Sequence, residues 1–170
     1  MSILKIEVYP AAVLKQKTEP VQCIDDEIRQ LAEDMLETMY QAPGVGLAAP
    51  QIGRSLRLLV ADPGDEEDRN KRNPLILINP EITKREGQAA INEGCLSVPG
   101  FTAEVPRAYR IALRAWTLDE QEIELELEDF PAIVIQHEYD HLDGILFIDR
   151  ISRLKRNIYE RKLKKGTLGD

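Results

Sequence analysis

The chain has 170 residues, of which 43% are hydrophobic, and this length suffices for one domain with a substantial core. Its formal net charge of −8 argues against a general or sequence-specific nucleic-acid-binding protein, and no apolar run is long enough to span a membrane. Two cysteines far apart in sequence, Cys23 and Cys95, do not suggest a secreted disulfide framework, so we expect a reducing, cytoplasmic setting.

The first half of the chain is predicted to contain one long helix and two buried strands. From Asp25 to Tyr40, apolar residues recur at helical spacing and acidic residues occupy the first turn, which predicts an amphipathic helix. A Pro- and Gly-containing loop over 41–46 ends it. Residues 56–61 and 75–79 are predicted to be strands, separated by a charged loop over 62–73 to which we attach no function.

The second half is predicted to consist of short strands followed by two helices. The strand candidates are residues 82–90, 101–105, 109–118 and 122–128. In the last of these, Ile123, Leu125 and Leu127 alternate with glutamates, which indicates one buried face and one face in water. The order of elements predicts an α+β fold in which mainly antiparallel sheets pack around a buried central helix, with a further helix at the C-terminus.

The only two histidines, His137 and His141, lie four residues apart, and Glu138 directly follows the first. Positions i and i+4 lie on the same face of a helix, so both imidazoles can bind one metal ion. The glutamate can then act as a general base, as in the H-E-x-x-H pattern of metal-dependent hydrolases. The alternative interpretation is a buried helix with two hydrogen-bonded core histidines.

The segment around the histidines is predicted to be a central, buried helix. Asp129 is expected to cap its N-terminus, Pro131 suits its first turn, and Gly144 is expected to end it. Apolar residues occur almost all round this helix, which is typical of a helix inside a core.

A catalytic metal site requires a third protein ligand, and the chain has no further histidine to supply it. Glu160 lies 19 residues after His141, a spacing typical of zinc peptidases, but its neighbours are densely basic. Cys95 lies between a glycine and a nearby proline that permit a sharp turn, and a thiolate favours iron(II) or zinc. An inert buried cysteine is the alternative interpretation of Cys95.

The segment 150–165 contains eight of the 22 basic residues of the chain and one of its 30 acidic residues. It is predicted to be a basic C-terminal helix. Such a helix on an acidic body is compatible with a contact to one RNA-rich partner, whereas the simpler interpretation is a solvated helix that keeps the protein in solution.

Three segments together resemble the signature motifs of bacterial peptide deformylases: Gly44–Gln51, Glu93–Ser97 and Gln136–Gly144. Their order and separation also match, so the resemblance covers essentially the whole chain as one catalytic domain, residues 1–170. Tyr139, where many relatives carry phenylalanine, is a conservative departure. The resemblance implies removal of the N-formyl group from the formyl-methionine of nascent polypeptides, with release of formate.

The resemblance also implies a role for individual residues. It assigns metal binding to Cys95, His137 and His141, general base and acid catalysis to Glu138, and stabilisation of the oxyanion to the Gln51 side chain and the Leu96 N–H. It further implies that Gly46 lets the substrate backbone approach, and that the methionine pocket is lined by Val45, Ile91, Ile133 and Val134. On periodicity alone these four would be core residues.

The implied cofactor is one divalent ion, iron(II) first, with zinc, nickel or cobalt as alternatives. The implied partners are the formyl-methionine terminus of nascent peptides and the ribosome, the latter through the basic helix, and the implied state is a monomer. Two other functions remain open: an endopeptidase with Glu160 as the third ligand, and a non-catalytic, ribosome-associated metal-binding protein.

Overall fold

The computed structural model describes residues 2–65, 67–68 and 70–166. Within these residues the chain forms three α-helices: α1 (Asp26–Gln41), α2 (Phe130–Leu142) and α3 (Arg153–Lys164). It also forms seven strands: β1 (Gly46–Ala48), β2 (Leu58–Ala61), β3 (Leu75–Glu86), β4 (Ala89–Cys95), β5 (Val98–Arg107), β6 (Arg110–Trp116) and β7 (Glu122–Glu128). None of the helices in the described ranges is both long and apolar enough to cross a membrane.

All the pairings among these seven strands are antiparallel. Five strands form one sheet in the order β1-β2-β3-β6-β7, and β4 and β5 form a separate hairpin. Helix α2 contacts β1, β2 and β7 of the larger sheet. The predicted α+β fold with mainly antiparallel sheets around a central helix is therefore confirmed.

Helix α1 begins where the sequence predicts a helix. The Asp25 side chain accepts a hydrogen bond from the Ile28 N–H at 3.0 Å, which satisfies one of the free donors of the first turn. Its apolar stripe is buried against Leu47 and Leu58 of β1 and β2. This amphipathic packing accounts for the position of the helix on the large sheet.

Helix α2 is buried almost all round, as its apolar sequence predicts, and Gly144 follows its end with a φ of 75°. The prediction that Asp129 lies at the N-cap of this helix is confirmed, but the side-chain hydrogen bond typical of such a cap is absent. The reason is that the Asp129 backbone has a φ of 59° and turns sharply between β7 and the helix. The Asp129 N–H instead donates to the Tyr109 carbonyl oxygen at 2.8 Å.

Two of the predicted boundaries that differ from the structure have a clear physical cause. The predicted strand over 82–90 is divided between β3 and β4, because the chain reverses at Gly87, whose φ is 69°. The basic helix begins at Arg153 rather than at residue 150, because residues 147–150 form a 3-10 turn and the Ser152 side chain then caps α3. The alternating residues of β7 do pack on the core as expected.

The charged loop over 62–73 is anchored to the rest of the protein by the hydrogen bonds of its first residue, Asp62. Glu66 and Arg69 of this predicted loop lie outside the described residues. Asp62 accepts a hydrogen bond from the Tyr40 hydroxyl at the end of α1, and the Asp62 N–H donates to the Val45 carbonyl oxygen at 2.8 Å. Burial, together with the Asp62 carboxylate, raises the pKa of Tyr40 to about 12, so this hydroxyl remains a donor at neutral pH.

Candidate active site

The structure brings Cys95, His137 and His141 together. Both histidines lie on one face of α2, with ring centroids 5.1 Å apart, and Cys95 is the last residue of β4. The Cys95 Sγ lies 3.4 Å from the His141 Nε2, and one ligand atom from each of the three residues lies within 4.8 Å of the others. Tetrahedral bonds of about 2.0–2.3 Å separate ligand atoms by roughly 3.5 Å, so this set of one sulfur and two nitrogens fits a single ion.

Glu160, the competing third ligand, takes no part in this group. Its carboxylate accepts a hydrogen bond from the Tyr9 hydroxyl at 3.0 Å and lies 3.6 Å from the Arg156 guanidinium. These contacts belong to the packing of α3 on the N-terminal segment. The endopeptidase alternative, which requires Glu160 beside the histidines, is therefore not supported.

The orientation of His137 is set by two buried residues whose roles the sequence did not reveal, Glu93 and Arg107. The His137 Nδ1 lies 2.9 Å from a Glu93 oxygen, and because an ionised carboxylate only accepts, Nδ1 carries the hydrogen and Nε2 is left to bind a metal. Arg107 binds both oxygens of Glu93, at 2.8 and 2.9 Å. Burial alone would raise the pKa of Glu93, but the hydrogen bonds from Arg107 and His137 outweigh it and hold this pKa below its ordinary value.

Gln51 is buried, with 1% of its surface exposed, so the alternative of an ordinary surface amide does not apply. Its Oε1 accepts a hydrogen bond from the Ala48 N–H at 2.9 Å, which directs the amide nitrogen toward the candidate metal centre. There the Nε2 lies 3.1 Å from the Ser97 Oγ and 3.6 Å from the Cys95 Sγ. Ser97 is a further contact that the sequence did not predict, and Leu96 lies in the turn beside it.

Glu138 faces the same space as the candidate metal-binding nitrogen of His137, with its Oε2 3.9 Å from the His137 Nε2. It is buried, and its Oε1 has no hydrogen-bond partner among the described residues. Burial raises the pKa of Glu138 to about 7, and the nearby charges of His137 and Arg107 oppose this rise. A Cβ atom at Gly46 would lie 2.6 Å from the Glu138 Oε2, so the glycine makes room for the carboxylate itself.

A cavity of about 460 Å³ is lined by Glu138 and by two of the candidate ligands, Cys95 and His137. Its lining includes all the residues that the resemblance assigns to substrate binding: Val45, Gly46, Ile91, Ile133 and Val134. Val45 is 47% exposed and lies at the rim, whereas Ile133 and Val134 are buried at the side of α2. The cavity lies between the β1 end of the large sheet and the β4–β5 hairpin.

Comparison with known proteins agrees with this geometry. A family model described as polypeptide deformylase matches residues 3–157. The chain is 52% identical over 165 residues to a peptide deformylase of Alkalilimnicola ehrlichii, covering 97% of this chain and 91% of that protein. It is 47% identical to one of Desulfotalea psychrophila, covering 99% of each.

Solved structures of peptide deformylases also have a fold similar to that of this chain. The crystal structure of a peptide deformylase from Legionella pneumophila has a TM-score of 0.89 and 42% identity, covering 98% of this chain and 96% of that one. The Ehrlichia chaffeensis peptide deformylase in complex with actinonin has a TM-score of 0.91 and 36% identity, covering 98% of each chain. From the matched family model, these relatives and the cluster of one cysteine and two histidines, we conclude that the chain belongs to the polypeptide deformylase family of metal-dependent enzymes.

Proposed function

We propose that this protein removes the N-formyl group from the formyl-methionine of nascent polypeptides and releases formate. The observation that carries the proposal is the meeting of Cys95, His137 and His141 beside the buried Glu138, at the end of an apolar cavity. The whole chain, residues 1–170, is proposed to act as one catalytic domain, since its relatives are matched over nearly their full length.

The proposed metal ligands are Cys95, His137 and His141, and iron(II) is the proposed ion, with zinc, nickel or cobalt as alternatives. One thiolate and two imidazoles suit such borderline ions better than magnesium or calcium. When bound, the ion polarises the formyl carbonyl and lowers the pKa of a water molecule. Glu93 contributes by holding the His137 ring in the tautomer that leaves Nε2 without a hydrogen.

Glu138 is the proposed general base and acid. Its carboxylate takes a proton from the attacking water, and the water oxygen forms the new bond to the formyl carbon. When the bond between that carbon and the methionine nitrogen breaks, Glu138 delivers the proton to the departing amine, and the formyl group leaves as formate. The Gln51 side-chain amide and the Leu96 N–H are the proposed donors to the oxyanion that forms between these two steps.

The proposed substrate-binding residues are those of the apolar cavity wall. Ile91, Ile133, Val134 and Val45 would enclose the methionine side chain, and Gly46 would lie beside its backbone. Strand β1 is at the edge of the large sheet, paired on one side with β2. An extended peptide can add to such an edge through main-chain hydrogen bonds, which supports a substrate that lies between β1 and β4.

The remaining proposals concern the setting of the enzyme. We propose that it acts in the cytoplasm as a monomer, and that α3 contacts the ribosome. The basic residues of α3 support an electrostatic contact with an RNA-rich surface: Arg153, Lys155, Arg156, Arg161, Lys162 and Lys164.

The test is formate release from a formyl-methionyl peptide by protein loaded with iron(II) without oxygen, with elemental analysis of the same sample. Glu138→Gln is expected to keep the metal and lose at least about 100-fold in kcat. Cys95→Ala is expected to lose the metal, while Glu160→Gln is the matched control and should keep both metal and turnover.

Two outcomes would contradict the proposal. If Cys95→Ala keeps its full metal content while Glu160→Gln loses it, the assigned ligand set is wrong. If the fully loaded protein releases no formate, the non-catalytic alternative is favoured instead.

A further inference from the structure

A chain of charged side chains leads from His137 to the start of α3. Glu93 accepts from the His137 Nδ1 and is bound by Arg107, whose Nη1 also lies 2.6 Å from the Asp140 Oδ2. Arg150 then binds both oxygens of Asp140, through Nε at 2.5 Å and Nη2 at 2.8 Å. The side chains of Glu93, Arg107 and Asp140 are 4%, 3% and 7% exposed, whereas that of Arg150 is 41% exposed.

The charges in this chain balance only when Arg150 is included. Glu93 and Asp140 are two buried carboxylates, and Arg107 is the one buried guanidinium between them. Opposite charges attract strongly in a weakly polar interior, and a buried carboxylate without a partner is costly. Without Arg150, both carboxylates would therefore compete for Arg107.

The geometry of Arg107 shows where this competition would act. Its Nε and Nη2 hold Glu93, and its Nη1 holds Asp140. A guanidinium is rigid and planar, so a shift toward Asp140 would loosen both bonds to Glu93. Glu93 is in turn the group that fixes the ring of His137.

We propose that Arg150 is a positioning residue: by binding Asp140 it keeps Arg107 on Glu93, and Glu93 thereby holds His137 in its metal-binding orientation. Arg150 lies outside the three motif segments, and 41% of its side chain is exposed to solvent. The inference uses the ligand set of the proposed function, but it does not depend on which substrate the enzyme hydrolyses. It also links the 3-10 turn that precedes α3 to the candidate metal centre.

The first measurement is nuclear magnetic resonance of zinc-loaded protein labelled with ¹⁵N at histidine. Because the chain has two histidines, the spectrum contains the imidazoles of His137 and His141 only. Arg150→Met is expected to shift the His137 Nδ1–H signal and to leave that of His141 close to its original position. Arg153→Met, which removes the same charge three residues away from an exposed position, is the matched control and should shift neither.

The second measurement is the rate at which zinc passes to a chelator. Arg150→Met is expected to release zinc about 10-fold faster, since residues behind a metal ligand typically contribute 10–100-fold to metal affinity. Arg153→Met should match the original protein. Arg150→Lys keeps the charge but loses the bidentate contact with Asp140. Its rate of zinc release should therefore lie between those of Arg150→Met and the original protein, and it provides the comparison if the methionine variant folds poorly.

Two results would overturn the inference. In one, Arg150→Met behaves like Arg153→Met in both measurements. In the other, both histidine signals shift equally and the unfolding temperature of the metal-free protein falls, which would make Arg150 a simple anchor of the C-terminal segment. Neither measurement involves a substrate, so a failure to release formate would leave this inference standing.

Discussion

At the scale of single residues, Gly46 is the position where the addition of one carbon atom should damage catalysis most directly. A Cβ there would lie 2.6 Å from the Glu138 Oε2 and 2.8 Å from its Cγ and Cδ, so the carboxylate would have to move. Displacement of a reacting group by about 1 Å can reduce the rate about 100-fold. We therefore expect Gly46→Ala to lose about this factor in formate release while keeping its metal, measured by kinetics and elemental analysis.

Gly44→Ala is the matched control for this prediction. Its added carbon would lie 2.9 Å from the Leu96 Cδ1, which is the end of a side chain that can rotate away. Its loss of activity should therefore be much smaller. If Gly46→Ala were as active as the original protein, Glu138 would have room that the structure does not show.

A second residue, Tyr159, carries a buried hydroxyl with no hydrogen-bond partner among the residues that the structure describes. A buried polar group without a partner costs about 1–3 kcal/mol. We expect Tyr159→Phe to raise the free energy of unfolding by about 1 kcal/mol, measured by urea denaturation. Tyr9→Phe, which loses the hydrogen bond to Glu160, should instead lower the free energy of unfolding. If both variants lowered it equally, the Tyr159 hydroxyl would have a hydrogen-bond partner.

At the scale of elements, the end of α2 depends on a close contact with the N-terminal segment. Gly144 has a φ of 75°, and a Cβ there would lie 2.6 Å from the Lys15 carbonyl oxygen. Thr18 fastens the same end of the helix through hydrogen bonds from its N–H and Oγ1 to the Leu142 carbonyl oxygen, at 3.0 and 2.7 Å. The turn after α2, which carries the two candidate histidine ligands, is therefore closed by residues more than 120 positions earlier in the chain.

Gly144→Ala is expected to lower the free energy of unfolding by about 2–5 kcal/mol, the sum of backbone strain and overpacking. Urea denaturation measures this loss. Gly166→Ala is the control, because Gly166 has a similar φ of 67° but nothing within 4 Å of the added carbon. Gly166→Ala should lower the free energy of unfolding only by the cost of backbone strain. If both substitutions lowered it equally, the close contact between Gly144 and Lys15 would be unimportant for stability.

At the scale of the whole molecule, the candidate metal centre joins two separately packed regions. The buried side chains of α2, including Ile135 and Leu142, belong to the core on the large sheet. Cys95 packs at the edge of another core, formed with Val98, Phe147 and other residues beneath α3. A bound ion would therefore link the two regions, and its binding energy would add to the stability of the fold.

We expect removal of the metal by a chelator to lower the unfolding temperature. Metal at about 1,000 times its Kd adds about 4 kcal/mol, and each kcal/mol moves the unfolding temperature of a chain of this size by about 2–4 °C. Scanning calorimetry with and without zinc measures the shift. Cys95→Ala should lose this metal-dependent shift, whereas Cys23→Ser, at an exposed cysteine, should retain it; a full shift in Cys95→Ala would exclude the sulfur as a ligand.

Helix α2 shows how much local sequence can specify. Its apolar run, Pro131 in the first turn and Gly144 at the end correctly predict a buried helix, because helical spacing and chain reversal depend on neighbouring residues. The absence of a side-chain capping bond at Asp129 was not predictable in the same way, because the backbone there is constrained by the path from β7.

By itself, the sequence determined the α+β fold class and the chemistry of the candidate ligands, since two histidines four apart can share an ion and motif order identifies the family. The residue pattern left Cys95 and Glu160 open as the third ligand and the family resemblance implied Cys95; the tertiary structure places Cys95 beside the histidines and Glu160 against Tyr9. The tertiary structure alone revealed the charged residues that contact Glu93, the partner of His137. Arg107 lies 14 residues from Glu93 and 33 from Asp140 along the chain, so no local spacing encodes these ion pairs. The physical reason is that these contacts arise from strands and helices folding onto one another, so their partners are set by packing and not by neighbours along the chain.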